Sequence, residues 1–453
     1  MADIEISPDE AADRPALIKE AIRRLGTFAE ASLTPLLVYC VTTALVVAGT
    51  LFSGTYIRTL GLPHSLSAWD GGVYAEIAQE GYRVPGSGAP STLAFFPAYP
   101  LAGRAVSPVL NVHPETALLI VSHAAFLLAL VVLALYLAER PDAIGGRREV
   151  LRRDTRGLAW AEAHVTEGRR PREIAWTLLM IGLWPTTFFF RMAYSDSLFL
   201  LLIVLAMWLM QRNANTAAVA LVTGAATAAR PVGVALVPVF LLWLWQRAAA
   251  GRSRVGGEGD GNGFRMWNGL WLVPLSVWGL AAYVAYQQSV FGEGLAFLNA
   301  QSEWTQRPGA PLGRELAALA TLEPIWSVYV PTSYAWWGNW DPQRNPLFSL
   351  QFANPIYFMI AAALVAAGAW KRWLTSREVL LSVLLLGIPY ATHSYRAVMM
   401  GHGRYAAIVF PAFIVLGRLL AGAPRAVGPG VSMVCGFLLA AYAALFVAWR
   451  PLI

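Results

Sequence analysis

The sequence predicts an all-α, polytopic membrane protein, and three observations carry that prediction. Of its 453 residues, 57% are hydrophobic and only 13% charged, with a mean hydropathy of +0.51; a soluble domain carries roughly twice that charged fraction. The apolar residues are gathered into uncharged runs such as 36–52 (LLVYCVTTALVVAGTLF) and 116–138 (TALLIVSHAAFLLALVVLALYLA). About 20 such residues cross the hydrocarbon core of a bilayer, and only helices or closed barrels can do so. The runs are continuous rather than alternating, so helices are expected. Finally, the arginines concentrate in a few loops between the runs, as they do in multi-pass proteins.

Taken in order, residues 1–30 are charged and amphipathic and read as a cytoplasmic segment, not a cleavable signal peptide. Residues 31–453 then form a single transmembrane domain. Eleven spans are expected, near 33–53, 115–138, 174–190, 197–211, 216–229, 231–246, 268–290, 353–370, 378–392, 405–421 and 430–449. The loop 139–173 holds nine arginines (Arg140, Arg147, Arg148, Arg152, Arg153, Arg156, Arg169, Arg170 and Arg172). The loop 247–267 adds Arg247, Arg252, Arg254 and Arg265, and Lys371, Arg372, Arg377, Arg418 and Arg425 mark two more. With the N-terminus inside, all these loops fall in the cytoplasm. The glycine-rich piece 251–263 reads as a flexible linker. Two long segments, about 54–114 and 291–352, then lie outside. The stretch 92–110 is apolar but interrupted by Pro97, Pro100, Pro108 and Arg104, and is expected as an interfacial or re-entrant helix.

Several classes are excluded or disfavoured. The net charge of +7 comes from arginines in short loops, which is not a nucleic-acid-binding pattern. Lysine occurs only at Lys19 and Lys371, a bias that reads as a GC-rich, bacterial coding sequence. Cys40 and Cys435 both lie in apolar runs and imply neither a disulfide framework nor a metal site. There is no P-loop, dinucleotide fingerprint or zinc-type spacing.

The residues able to carry chemistry fall on the expected non-cytoplasmic side. In 69–82 (WDGGVYAEIAQEGY), Val73, Tyr74, Ile77 and Ala78 recur at helical spacing, so a short amphipathic helix on the membrane is expected. Asp70 at its start is either an N-cap, with Gly81 as the stop, or a carboxylate beside Trp69 able to take a proton from a hydroxyl. The run 95–100 (FFPAYP) reads as an aromatic belt or the wall of a lipid-tail groove. Arg191 and Asp196 are the only charges in 184–202; a salt bridge between them, or capping by Ser195, Asp196 and Ser197, are the plain alternatives to a binding role. Arg230 closes the fifth span before Pro231, and an arginine at that depth needs a partner: a phosphate, Asp70 or Asp196. His393, Arg396, His402 and Arg404 gather before the tenth span, against the charge rule, where arginine binds phosphate bidentately and histidine donates a hydrogen bond. Trp304, Trp326, Trp336, Trp337 and Trp340, with Glu303, Glu323 and Asp341, suit either stacking on sugar rings or interfacial anchoring.

A carboxylate, arginines and aromatics on the face where nucleotide-activated donors are absent point to a donor already in the membrane, such as a polyprenyl-phosphate sugar. Its phosphate would meet Arg404 and Arg230, and Asp70 would take the proton of an acceptor hydroxyl.

These residues resemble a known family. WDGGVYAEIAQEGY (69–82) with AFFPAYPL (94–101) is similar to the first luminal loop of PIG-V-type mannosyltransferases, GT-C enzymes that include the second mannosyltransferase of GPI-anchor synthesis and bacterial relatives. WPTTFFFRMAYSDSLF (184–199), AARPVGVAL (228–236) and GRYAAIVFPAFIVLG (403–417) resemble its later signatures, in family order over roughly 67–417. The resemblance implies a GT-C fold, a polyprenyl-phosphate mannose donor, an inverting transfer and Asp70 as base; it does not settle the acceptor, for which a lipid or glycan hydroxyl is expected. From their charge and placement, His402, Arg404 and Arg230 are expected at the donor phosphate, and Trp69, Tyr74, Arg191, Asp196 and Tyr405 at the substrates. Gly71 and Gly72 follow Asp70, so there is no Asp-x-Asp pair; neither a metal nor another cofactor is expected. The alternative is a transporter or flippase for a lipid-linked or anionic solute, which predicts broken-helix sites near mid-membrane and internal repeats; a non-catalytic subunit of the same fold is a third reading.

Overall fold

The computed structural model describes residues 33–53, 61–83, 91–140, 158–254, 267–340 and 345–448. The expected N-terminal segment, most arginines of the 139–173 loop, the glycine-rich linker beyond residue 254 and Asp341 lie outside the described residues; residues 251–254 of that expected linker are helical. Helices, and no strands, make up the regular structure of the described residues. Five of these helices are long and apolar enough to cross a bilayer: α1 (Leu33–Phe52), α5 (Pro114–Glu139), Pro231–Ala250, α12 (Leu350–Trp370) and α16 (Val427–Val447); a bent pair makes six if counted as one span. This is the architecture of a polytopic membrane protein.

A helix occupies every position where a span is expected, but several are short or broken. The bent pair is α6 (Leu158–Leu183) followed by a 3₁₀ segment, Pro185–Arg191, which turns away by 77°. The break follows from Pro185, which lacks the N–H that would continue the ladder, and from Trp184 before it, held extended at ψ 132°. Likewise 405–421 splits into α14 (His402–Ala407) and α15 (Phe410–Gly422), because Pro411 cannot donate to the preceding turn. α7 (Asp196–Gln211) and α8 (Thr216–Ala229) are short apolar helices. Asn215 caps α8 by accepting from the Ala217 N–H at 2.8 Å. Pro231–Ala235 forms a 3₁₀ turn that leads into α9 (Leu236–Arg254), and the expected 268–290 span reduces to α10 (Trp278–Phe291), ended by Gly292 at φ 75°.

α5 packs along α7, α7 along α8, and α8 along α10, while α6 lies against α15 and α12 against α14 and α15. The segment Pro185–Arg191 sits between α5, α14 and α16. Its own Phe188 and Phe190, and Phe126 and Phe199 of α5 and α7, are fully buried.

The two ends of this bundle differ. At one end Glu378, near the start of α13 (Ser376–His393), accepts from Arg140 Nε and Nη2 at 2.7 Å each and from the Tyr136 hydroxyl at 2.7 Å. Glu378 also completes a capping box with Thr375. At the other end of α5, about 39 Å away for 26 residues, lie α2 (Leu62–Leu66), α3 (Asp70–Glu80) and α4 (Ala98–Leu110), together with segments from 291–340 and 392–407. Ser91 donates its N–H to Glu303 at 2.6 Å, Tyr283 its hydroxyl to the Leu93 carbonyl at 2.8 Å, and His393 pairs with Gln301 at 2.9 Å. The segments expected on one face therefore meet at one end.

α3 corrects one expectation. Its apolar face does not rest on a membrane surface: Tyr74, Ile77 and Ala78 are buried in a cluster with Phe95, Tyr99 and Leu118. The interrupted stretch after it forms a 3₁₀ turn and then α4, packed on α5.

Candidate functional site

Asp70 is the first residue of α3, but it does not cap it. The N-cap position belongs to Trp69, and no side chain caps the helix. The Asp70 carboxylate instead accepts from Arg404 Nη1 at 2.9 Å and remains partly exposed. Asp196, the first residue of α7, is fully buried and is likewise not a cap. Arg230 Nη1 donates to Asp196 Oδ1, and Arg404 Nε stands 3.6 Å from the same oxygen, an ion pair too long for a hydrogen bond. Two carboxylates and two guanidiniums thus form a chain, Asp70–Arg404–Asp196–Arg230, with no net charge. Within it, Asp196 Oδ2 and Arg404 Nε are buried without a hydrogen-bond partner among the described residues.

Aromatic rings wall this chain. The Arg404 guanidinium lies 5.2 Å from the Tyr194 ring centre, 5.3 Å from Phe189 and 5.7 Å from Tyr405, and Tyr405 is also 5.5 Å from Arg230. Such faces favour a cation electrostatically. Tyr74 bonds Ser195 Oγ at 2.9 Å, so Ser195 is engaged across the site rather than in capping. Burial pushes the Tyr74 phenol up to about 12, which keeps it protonated near neutral pH.

The backbone that delivers these residues is strained. Trp69, directly before Asp70, has φ 59°. Val398 and Met399, before the helix that carries Arg404, have φ 44° and 63°. Non-glycine residues there cost of order 1–3 kcal/mol each and persist where surroundings fix them. Two bonds fix the first: Ala193 N–H donates to the Leu66 carbonyl at 3.1 Å, and the Tyr194 hydroxyl to the Ala68 carbonyl at 3.2 Å. These bonds dock the turn before Asp70 onto the strap before Asp196.

The structure brings Asp70, Asp196, Arg230, Arg404 and Tyr405 together, with Trp69 and Tyr74 on the flanking turn and helix. Arg191 and His402 stand apart. The Arg191–Asp196 salt bridge does not form, because the 77° break turns Arg191 into the interior. Its guanidinium donates to the carbonyls of Thr187 (3.0 Å) and Gly182 (3.2 Å) and to Thr42, and lies 4.4 Å from the Phe126 ring centre. Among the described residues no carboxylate pairs with it. His402 is fully buried between the Phe358 and Tyr405 rings, and burial pushes its imidazole down to about 4, so it is neutral near pH 7. Tyr194, Phe189 and Ser195 are the contributors that sequence reasoning did not single out as site residues. Their only local signal is their place in the aromatic run before Asp196. Among the described residues no group of three or more His, Cys, Asp or Glu side chains converges to hold a metal.

Compared with protein-family models, curated proteins and solved structures, the chain matches none.

Proposed function

We propose that this chain is an integral membrane glycosyltransferase of GT-C type, related to the PIG-V mannosyltransferases, that works on the extracytoplasmic face. It moves a sugar, mannose by the resemblance, from a polyprenyl-phosphate donor to a hydroxyl of a lipid or glycan acceptor. The observation that carries this reading is the Asp70–Arg404 pair. A carboxylate free of capping duty, still reachable from solvent, lies against a guanidinium that is anchored by a second carboxylate.

In the proposed reaction the donor phosphate competes with Asp70 for Arg404 Nη1, while Arg404 Nε stays against Asp196. One Asp70 oxygen is then available. The acceptor oxygen attacks the anomeric carbon from the side opposite the phosphate, and its proton passes to Asp70. The bond from the anomeric carbon to the phosphate oxygen breaks, its electron pair leaves with polyprenyl phosphate, and Arg404 with Arg230 offsets the charge that collects there. Inversion follows from single displacement. Asp196 is too deeply buried to reach a substrate, and its proposed part is to hold both arginines.

One observation favours the alternative of a transporter or flippase. The 77° break with Arg191 buried beside it is the kind of broken helix that solute sites in transporters use. Reconstituted protein given polyprenyl-phosphate-mannose and candidate acceptors separates the two. Product formation that disappears in Asp70→Asn supports the transferase; movement of the intact donor between leaflets without product would replace it with the transport reading.

A further inference from the structure

Beyond the charged site, the most unusual exposed surface is α11 (Leu312–Ala320), which has no buried residue at all. Leu312 is 72% exposed and Leu316 is 55% exposed. They lie one helical turn apart on one face. Just beyond, Leu322 and Trp326 are 48% and 51% exposed. A nine-residue helix is marginal in water by itself, and large apolar side chains grouped this way mark an interaction surface.

The adjoining flank of α11 is tied down. Glu315 accepts from Arg396 Nε at 3.1 Å, and the Arg396 carbonyl accepts the N–H groups of Gln306 and Arg307 at 2.9 Å each. Arg307 in turn pairs with both oxygens of Glu323 at 3.0 Å and stacks 3.9 Å from the Tyr395 ring centre. Glu315, Arg396, Arg307 and Glu323 are thus paired within the protein, and the leucines are left over.

What surrounds α11 indicates what covers it. The Tyr390 hydroxyl, near the end of α13, holds the Leu319 carbonyl at 2.9 Å. α13 turns Val383, Gly387 and Ala391 outward at intervals of four residues, a continuous outward stripe that ends beside α11. The Tyr329 hydroxyl holds the Phe352 carbonyl, near the start of α12, at 2.9 Å. The candidate span α12 turns Ile356, Met359 and Ile360 outward. α11 therefore lies beside the end of the α13 stripe, and the segment that follows it reaches the start of α12. In a bilayer that level is the interface, where leucine and tryptophan settle on the acyl boundary.

We infer that α11 is an interfacial helix whose Leu312, Leu316 and Trp326 dock on the lipid surface of the membrane in which the chain sits. Through Glu315 and Arg396 it also fixes the segment 394–401 that leads into Arg404. The occupant is lipid rather than a protein partner, because the patch adjoins the end of the outward stripe of α13 and, through the segment that follows it, the start of the candidate span α12.

The test uses the full chain in phosphatidylcholine–phosphatidylglycerol vesicles, with Cys40→Ser and Cys435→Ala removing the native thiols. An environment-sensitive fluorophore is attached at Leu316→Cys or, separately, at Arg314→Cys on the far side of the helix. The position-316 label should be blue-shifted and lose emission to nitroxide lipids, and the position-314 label should lose emission to aqueous iodide. Equal iodide quenching at both positions would overturn the proposal by placing both in water. Shielding of position 316 from both quenchers would overturn it in favour of a protein partner. A readout without a label guards against distortion: Trp326→Phe should remove part of the tryptophan emission that nitroxide lipids quench, and no loss of that part counts against lipid docking.

Discussion

Arg404 Nη1 donates to Asp70 Oδ2 at 2.9 Å, a contact between residues 334 positions apart. It joins the first turn of α3 to the short helix α14, and each is delivered by a strained stretch of backbone. The pair is the point from which the proposed chemistry can be tested one group at a time.

Replacing Asp70 by Asn keeps the shape and a hydrogen-bond acceptor for Arg404 but removes the base. kcat for sugar transfer should fall by about 10²–10⁴-fold, with donor KM and thermal midpoint little changed. Single-turnover transfer on reconstituted protein checks it, and a wild-type rate in a folded Asn variant would remove Asp70 from the chemistry.

Arg404 presents Nη1 to Asp70 and Nε toward Asp196. A lysine has one ammonium and cannot present that fork. Both Arg404→Lys and Arg404→Ala should raise donor KM by roughly tenfold to a hundredfold, the worth of a charge-assisted hydrogen bond. Titrating the donor phosphate at fixed acceptor reads this directly, and unchanged donor dependence would take Arg404 out of the phosphate site.

Arg230→Ala strands the buried Asp196 carboxylate. It should cost about 3–5 kcal/mol of stability, because the remaining carboxylate loses its hydrogen-bonded partner and keeps only Arg404 at 3.6 Å. The paired change Arg230→Met with Asp196→Leu should recover much of that stability and still lose donor binding, since Arg404 loses its anchor. Thermal unfolding in detergent, combined with a donor-binding assay, distinguishes the two effects.

Glu378 provides the control at the opposite end of the bundle. It is fully buried and takes bonds from Arg140, Tyr136 and the Thr375 N–H. Glu378→Ala should lower the thermal midpoint as Arg230→Ala does, yet leave the donor KM of the folded fraction unchanged. A shifted KM would mean that the two ends are coupled.

Glu315 gives a pH dependence. Burial opposes its charge, but the Ala310 N–H bond and the Arg396 guanidinium outweigh that and hold the carboxyl below its ordinary value of 4.5. Because the folded state favours the ionised form, the tie between α11 and segment 394–401 is intact above pH 4.5 and is lost as pH falls through the lowered value. Spin labels at Arg314→Cys and Thr392→Cys should show a distance distribution that is narrow at neutral pH and broadens in acid. In Glu315→Gln it should be broad throughout.

The helical, membrane-spanning character of the chain was legible in its sequence, because uncharged runs of about 20 residues have few ways to satisfy their backbone in lipid. So were the residue types of the site: Asp70, Asp196, Arg230 and Arg404 each stand out as charges where apolar residues surround them. Span lengths were less legible. Pro185 and Pro411 sit inside apolar runs that read as continuous, yet each removes a ladder hydrogen bond and splits the run in two.

Partnership belonged to the tertiary structure. Reading along the chain offered Arg191, five residues before Asp196, as one partner for it, and offered Asp196 as one of three partners for Arg230, without choosing between them. The break before Pro185 turns Arg191 onto the carbonyls of Gly182 and Thr187, and Asp196 is left to Arg230 and Arg404. The same holds for Asp70, a plausible cap by position that the docking of residues 66–69 on 193–194 instead presents to Arg404. Sequence determines which groups carry charge into an apolar environment, because composition alone makes them costly there. Which opposite charge offsets each of them is decided by where the chain bends, and those bends bring together residues that sequence separation keeps apart.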